Sequence, residues 1–257
     1  MRISVVTPSY NQARFIERTL CSVLDQSHRD TELIVIDGGS TDGTLEILTR
    51  YGERIVWRSE ADRGQAHAIN KGLAMASGEI VCWLNSDDTY EPGALTTVAR
   101  HFSGHGDCRW VCGRCRIVDE DDREIRRFIT WYKNRLLAGY SYPRLLTENF
   151  VSQPAVFWRR DLLAEVGPLN EQEHFCMDYE YWLRLGSRYP PGIIDDYLAN
   201  FRFHRASKSG RVDQRQFSDE LRIARAFGRG HRLALLLHAV NYRKIVWAYK
   251  FLDALGR

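Results

Sequence analysis

The chain has 257 residues, of which 44% are hydrophobic and 27% charged, and its net charge is +3. That length can bury a full core without disulfide or metal staples, the composition is ordinary for a globular protein, and so small a net charge gives no case for a nucleic-acid partner. The charge is unevenly placed: residues 202–257 hold 13 Lys or Arg against 4 Asp or Glu, a net +9, while residues 1–201 carry −6.

The chain begins at once with the strand-like run Ile3–Val6, which predicts no signal peptide and a cytoplasmic protein. No apolar run approaches the ~18 residues of a membrane span. Strands are predicted at Ile3–Thr7, Leu33–Ile36, Ile55–Trp57 and Ile80–Leu84, with helices at Ala13–Asp25, Asp42–Tyr51 and Gln65–Met75 between them. Continuous apolar strands alternating with helices predict a parallel sheet covered on both faces. Such sheets bind ligands beyond the carboxyl ends of their strands. The polar clusters Thr7–Asn11, Asp37–Gly43, Glu60–Gly64 and Asn85–Asp88 follow the four strands in turn.

A helix is predicted over Pro92–Phe102, then a strand over Trp110–Asp119 and an acidic turn at 119–122. Residues 128–150 read as aromatic-rich and irregular. A strand over Gln153–Trp158 and a short helix over Arg160–Val166 follow, the helix stopped by Gly167-Pro168. Next come an amphipathic helix at Cys176–Ser187, a strand at Ile193–His204, and tail helices over 214–228 and 231–255. Cys108, Cys112 and Cys115 have the C-x3-C-x2-C spacing of some iron–sulfur sites. They straddle a strand start, so they read as reduced cysteines on or near that strand.

Asn85-Ser86-Asp87-Asp88 stands out, because an apolar strand delivers two adjacent carboxylates to its tip. Like charges side by side call for a cation, and Mg²⁺ or Mn²⁺ commonly shares carboxylates with substrate phosphates; the plain alternative is a solvated turn. Asp37 precedes Gly38-Gly39, which allow close backbone approach to a ligand. Its carboxylate would accept from a base or ribose, or else form an Asx turn. Asp62 faces the same two alternatives. Ser40, Thr41 and Asp42 read as helix caps. There is no Walker loop, and Pro8–Asn11 holds no glycine, so a metal and side chains must bind phosphate instead of a glycine cradle.

The runs TPSYN (Thr7–Asn11), VIDGGSTDGT (Val35–Thr44), EADRGQAHAINKGLAMASGEIVCWLNSDD (Glu60–Asp88) and MDYEYWLRLG (Met177–Gly186) together resemble family 2 glycosyltransferases over about residues 1–205. The resemblance implies the GT-A fold: a Rossmann-like, mostly parallel α/β sheet flanked by helices, here with a C-terminal helical tail. Residues 1–108 would bind the nucleotide sugar, 109–212 would complete the acceptor and catalytic half, and 213–257 would form the basic tail. Pro8, Ser9 and Asn11 would line the nucleotide pocket. Asp37 would bind the base, and Asp62 the base or ribose. Asp88 would hold Mn²⁺ or Mg²⁺, with Asp87 facing ribose or sugar. His204 would reach the metal or the diphosphate, in a basic surrounding of Arg202, Arg205 and Lys208 that suits an anionic leaving group. Asp178 matches the catalytic base, although the family's usual Glu-Asp is Met177-Asp178 here and Glu180 is the alternative. Gln153 and Trp182 fall on the acceptor side, and aromatics there, Trp131 and Tyr132 included, would either stack on sugar or pack in the core.

The implied reaction is metal-dependent, inverting transfer from a UDP-, dTDP- or GDP-sugar to a glycan or lipid-linked acceptor of a surface polysaccharide. The alternatives are a catalytically silent sugar-nucleotide binder on the same fold and a sugar nucleotidyltransferase, which would need a basic, glycine-rich first loop. Residues 205–212 would form a lid. In the tail, Leu233, Leu236, Leu237, Val240, Trp247 and Phe251 at helical spacing, with Arg243, Lys244 and Lys250, suit either peripheral contact with the inner face of the cytoplasmic membrane or packing on the body.

Overall fold

The computed structural model describes the backbone of residues 1–208 and 214–254, and the side chains of 1–208 and 215–244. One eight-stranded sheet runs through the molecule in the order β3-β2-β1-β4-β7-β6-β8-β5. Its first half is β1 (Ile3–Ser9), β2 (Thr31–Asp37), β3 (Val56–Ser59) and β4 (Ile80–Trp83). These four are parallel, with β1 between β2 and β4. β1 and β4 are buried along their whole length, as expected of strands covered on both faces.

Helices α1 (Ile16–Leu24), α2 (Thr44–Arg50) and α3 (Gln65–Met75) connect these strands. α1 buries Ile16, Thr19, Leu20 and Val23, a stripe at helical spacing. α3 lies very close to the sheet at Gly72, where a Cβ would collide with Val6.

The second half holds β5 (Thr89–Tyr90), α4 (Ala94–Gly104), β6 (Trp110–Val118), β7 (Val156–Arg159), α7 (Leu162–Val166), α8 (Met177–Gly186) and β8 (Gly192–Arg202). β7 is antiparallel to both β4 and β6, and β6 is parallel to β8. Behind these strands Trp83, Trp110, Trp158, Tyr181 and Trp182 form a fully buried aromatic cluster.

Residues 128–150 are not irregular. They form α5 (Arg127–Ala138) and α6 (Tyr142–Thr147). α5 buries only Thr130 and Leu137, so it lacks the apolar stripe that marks a helix in sequence. α6 is started by Ser141, whose hydroxyl caps the Arg144 N–H. Gln153–Ala155 is a 3₁₀ turn, where Pro154 has no N–H for a ladder. The tail helices α9 (Gln214–Phe227) and α10 (Arg232–Ala254) pack against α8 and α6 respectively, burying Leu221, Ile223, Ala224, Ala234 and His238.

Candidate active site

From β1 the chain runs outward through β2 and β3 and then returns to β4 on the other side of β1. That reversal opens a crevice at the carboxyl edge. Pro8 and Ser9 end β1 opposite Ile36 and Asp37, and the buried Ser9 hydroxyl has no partner among the described residues. Asn11 adopts a left-handed conformation (φ 52°). Its N–H donates to Ser40 Oγ (2.7 Å), and its side-chain carbonyl accepts from the Thr41 N–H (2.8 Å). The first loop is thereby tied to the second.

The expectation that Asp37 binds the base is corrected. Its carboxylate is fully buried, and Oδ2 accepts from the Gly39 N–H (3.0 Å), the Ser40 N–H (2.8 Å) and the Ser59 hydroxyl (2.7 Å). Oδ1 accepts from the Ser40 hydroxyl (2.5 Å). Asp37 therefore shapes its own loop, the Asx-type role open to any aspartate before a turn. Asp62 stands at the rim instead. Its Oδ1 accepts from the Gly64 N–H (2.7 Å), and its Oδ2 lies 2.7 Å from where a Gly38 Cβ would project, beside the ring of exposed Tyr10. Gly38 is needed here for space, since any side chain would displace the Asp62 carboxylate.

Asp88, at the end of β4, is almost fully buried. Oδ1 accepts from the Arg202 backbone N–H (2.8 Å), Oδ2 from the Asn85 amide (3.2 Å), and the Asp88 carbonyl from the Thr19 hydroxyl (2.8 Å). Burial, and then the neighbouring Asp87 charge, push the Asp88 carboxyl well above the usual range. Asp87 Oδ2 lies 3.0 Å from His204 Nε2, and the His204 ring rests on Phe15 at 4.7 Å. Arg202, expected near the leaving group, points elsewhere. Its buried guanidinium donates to the carbonyls of Asp87 (2.8 Å) and Asp119 (2.7 Å) and to the Asp122 carboxylate.

Asp178 sits in the first turn of α8, where the helix N-terminus favours a carboxylate. Burial nevertheless pushes its pKa up. Glu180 is engaged by Arg184 (3.0 and 2.5 Å), which also donates to the carbonyls of Val166 (2.6 Å) and Pro168 (2.8 Å). Of the two acids, Asp178 is the one without an ion-pair partner among the described residues. Lys208 bridges the halves: Nζ donates to Gln65 Oε1 (2.9 Å), and Gln65 donates to Asn85 Oδ1 (2.7 Å). Its charge is felt by Asp178 and Asp62.

Gln153 supports the Asn85–Asp88 turn, accepting from the Asn85 amide (3.0 Å) and donating to the Trp83 carbonyl (2.7 Å). Trp182 is corrected as an acceptor platform. It is fully buried and stacks near-parallel on Trp83 (5.2 Å) and Trp110 (6.1 Å), so it is core. Trp131 and Tyr132 show the reverse, being 59% and 38% exposed. Cys112 and Cys115 lie in β6, and burial holds both thiols in the neutral form. The lid expected over 205–212 falls partly outside the described residues.

A family model described as glycosyl transferase family 2 matches residues 4–167. The chain belongs to that family. An uncharacterised glycosyltransferase of Nostoc sp. is 33% identical over 177 residues, which is 66% of this chain and 54% of that protein; the chain thus spans about half the length of this curated relative. Two solved structures share the fold. S. aureus TarS in complex with UDP-GlcNAc superposes with a TM-score of 0.68 at 18% identity, over 88% of this chain and 66% of the other. A Pyrobaculum calidifontis mannosyltransferase in complex with GDP-Man and Mn²⁺ superposes with a TM-score of 0.63 at 20% identity, over 99% and 79%.

Proposed function

We propose that this protein is a metal-dependent, inverting glycosyltransferase that moves a sugar from a UDP-, dTDP- or GDP-sugar to a hydroxyl of a glycan or lipid-linked glycan, as in surface-polysaccharide assembly. The observation that carries the reading is the bridge that Lys208 makes from Gln65, itself bonded to Asn85, to the His174 carbonyl before α8, with the charges of Asp178 and Asp62 acting on its ammonium. Donor and base sides would thereby share one crevice. The complexes of the two structural neighbours support the donor class.

Asp62 and Tyr10 would hold the base, with the orphaned Ser9 hydroxyl as a further donor. The acid pair fits a hard cation, because burial and then the Asp87 charge raise Asp88, and a cation beside the pair would offset both. Asp88 would hold Mn²⁺ or Mg²⁺, with Asp87 and His204 beside it. Among the described residues no three His, Cys, Asp or Glu side chains converge on an ion position, so the donor diphosphate would complete the coordination. When bound, the ion would supply charge neutralisation for the leaving diphosphate. Asp178 would take the acceptor proton. Its raised pKa brings it closer to the operating pH, as suits a general base. Attack opposite the leaving group inverts the anomeric centre.

The tail would add contact with an anionic membrane surface. Leu233, Leu236, Leu237 and Val240 form an exposed stripe on α10, bordered by exposed Arg229, Arg232, Arg243 and Lys244. Trp247, Lys250 and Phe251 lie outside the described side chains. Among the described residues no helix is long and apolar enough to cross a membrane.

Calorimetry tests the site. One of UDP, dTDP and GDP should bind about tenfold or more tightly with Mn²⁺ than with EDTA, and Asp88→Ala should abolish that gain. Equal affinity with and without metal would reject metal dependence; no binding by any of the three would reject the donor site.

A further inference from the structure

A cavity of about 250 Å³ lies between α5, α6, α9 and α10, outside the donor crevice. Its wall includes Tyr132, Glu148, Phe217, Glu220, His238 and Tyr242. Two of its walls, α6 and α9, pack against α8, the helix that carries Asp178, and the charges of Asp178, Lys133 and Glu148 act on Glu220. Its polar groups are oriented. The Tyr132 hydroxyl donates to Glu148 Oε2 (2.8 Å). His238 is buried, and burial lowers its pKa, so it is neutral. Its Nδ1 donates to the Leu146 carbonyl (2.8 Å), which leaves Nε2 as a hydrogen-bond acceptor. Among the described residues Glu220 accepts only one long hydrogen bond, from the Gln216 amide at 3.4 Å.

We propose that this cavity is an acceptor subsite for one uncharged sugar ring, with Glu148, Glu220 and His238 accepting its hydroxyls and Tyr132, Tyr242 and Phe217 covering its C–H faces. The proposal rests on the glycosyl-transfer reading above. Several hydrogen-bond acceptors among aromatic faces suit a polyol, which offers many donors and apolar ring faces. The two glutamates outnumber Lys244, the one cation among the described wall residues, and with Asp178 nearby they disfavour a phosphate or uronate. The volume is just below the usual range for small-molecule pockets, about 300–1,000 Å³, and so fits a single ring. The tail helices would then determine acceptor specificity, because α9 and α10 supply four of the six wall residues named.

The test is saturation-transfer NMR on the full chain, with Mn²⁺ replaced by Mg²⁺ to avoid paramagnetic broadening and with UDP, dTDP or GDP present. The probes are methyl glycosides of glucose, galactose, mannose and N-acetylglucosamine, with methyl glucuronide as the charged comparison. At least one neutral glycoside should give transfer. That signal should fall at least fivefold in both Glu220→Gln and Tyr242→Ala, and the glucuronide should give none. Transfer that survives both substitutions, a stronger glucuronide signal, or no transfer from any neutral glycoside would overturn the proposal. Nucleotide binding in the same samples separates the two failures: bound nucleotide without glycoside sinks this subsite alone, while absent nucleotide binding sinks the glycosyltransferase reading.

Discussion

Arg202 offers the sharpest test of how the Asn85–Asp88 turn is held. Replacing it by leucine keeps part of the buried stem but removes a guanidinium that is 1% exposed. The Asp87 and Asp119 carbonyls lose donors at 2.8 and 2.7 Å. A buried acceptor left without a partner costs about 1–3 kcal/mol. The pair with half-exposed Asp122 adds at most about 1 kcal/mol. Together the loss is roughly 2–7 kcal/mol. At about 2–4 °C per kcal/mol for a chain of this size, Tm should fall by roughly 10 °C. Urea unfolding of wild type, Arg202→Leu and Asp122→Ala measures it. Asp122→Ala should cost no more than about 1 kcal/mol. The Arg202 backbone N–H still reaches Asp88 in the variant, so Asp88 stays anchored while the Asp87 carbonyl is released, and the Mn²⁺-dependent gain in nucleotide affinity should shrink. An Arg202→Leu protein within 1 kcal/mol of wild type would refute the network argument.

Three further outcomes follow from the packing and charges. Glu220 is pushed up from 4.5 to about 7, first by burial and then by Asp178 and Glu148 against Gln216 and Lys133. A raised carboxyl contributes stability that is complete below pH 4.5 and lost as pH rises through 7. Glu220→Gln should therefore match wild type in acid but be more stable by roughly 3 kcal/mol at pH 8 in denaturant melts; equal curves at both pH values would contradict the shift. Trp182→Phe should lower stability by about 1–3 kcal/mol in urea while leaving the acceptor KM unchanged, and a raised acceptor KM at unchanged stability would restore Trp182 as a sugar platform. Gly72→Ala should destabilise by about 1–3 kcal/mol because its Cβ meets Val6; a neutral or stabilising effect in the same melts would show that α3 has room to move.

The donor half was legible because its signals are local. β1 and β4 are continuous apolar runs, each followed by a polar cluster, and the reversal at β1 brings those clusters to one edge. Asp88 and Asp178 stood out because each follows or opens a periodic element. Side-chain direction was not legible. Asp37 turns inward and Asp62 outward, yet both precede glycine-containing turns; what separates them is the serines around Asp37 and the space left by Gly38. Trp182 and Trp131 were indistinguishable as aromatics, because their exposure depends on which neighbours cover them. The direction of Arg202 was not legible and Glu220 was not singled out, because what each faces lies far away in sequence, at Asp87 and Asp119 for one and near Asp178 for the other. α5 escaped because it packs with few buried residues and carries exposed Phe128 and Trp131.

The most direct measurement of the central claim is release of nucleoside diphosphate from a panel of UDP-, dTDP- and GDP-sugars with Mn²⁺ or Mg²⁺, using wild type, Asp88→Ala and Asp178→Asn. One donor should be turned over only when metal is present. Asp88→Ala should abolish release, and Asp178→Asn should lower transfer to an added sugar acceptor by at least about 100-fold, the scale of general-base assistance. Equal rates in all three proteins, or no turnover of any donor by folded wild type with the acceptor panel present, would contradict the account.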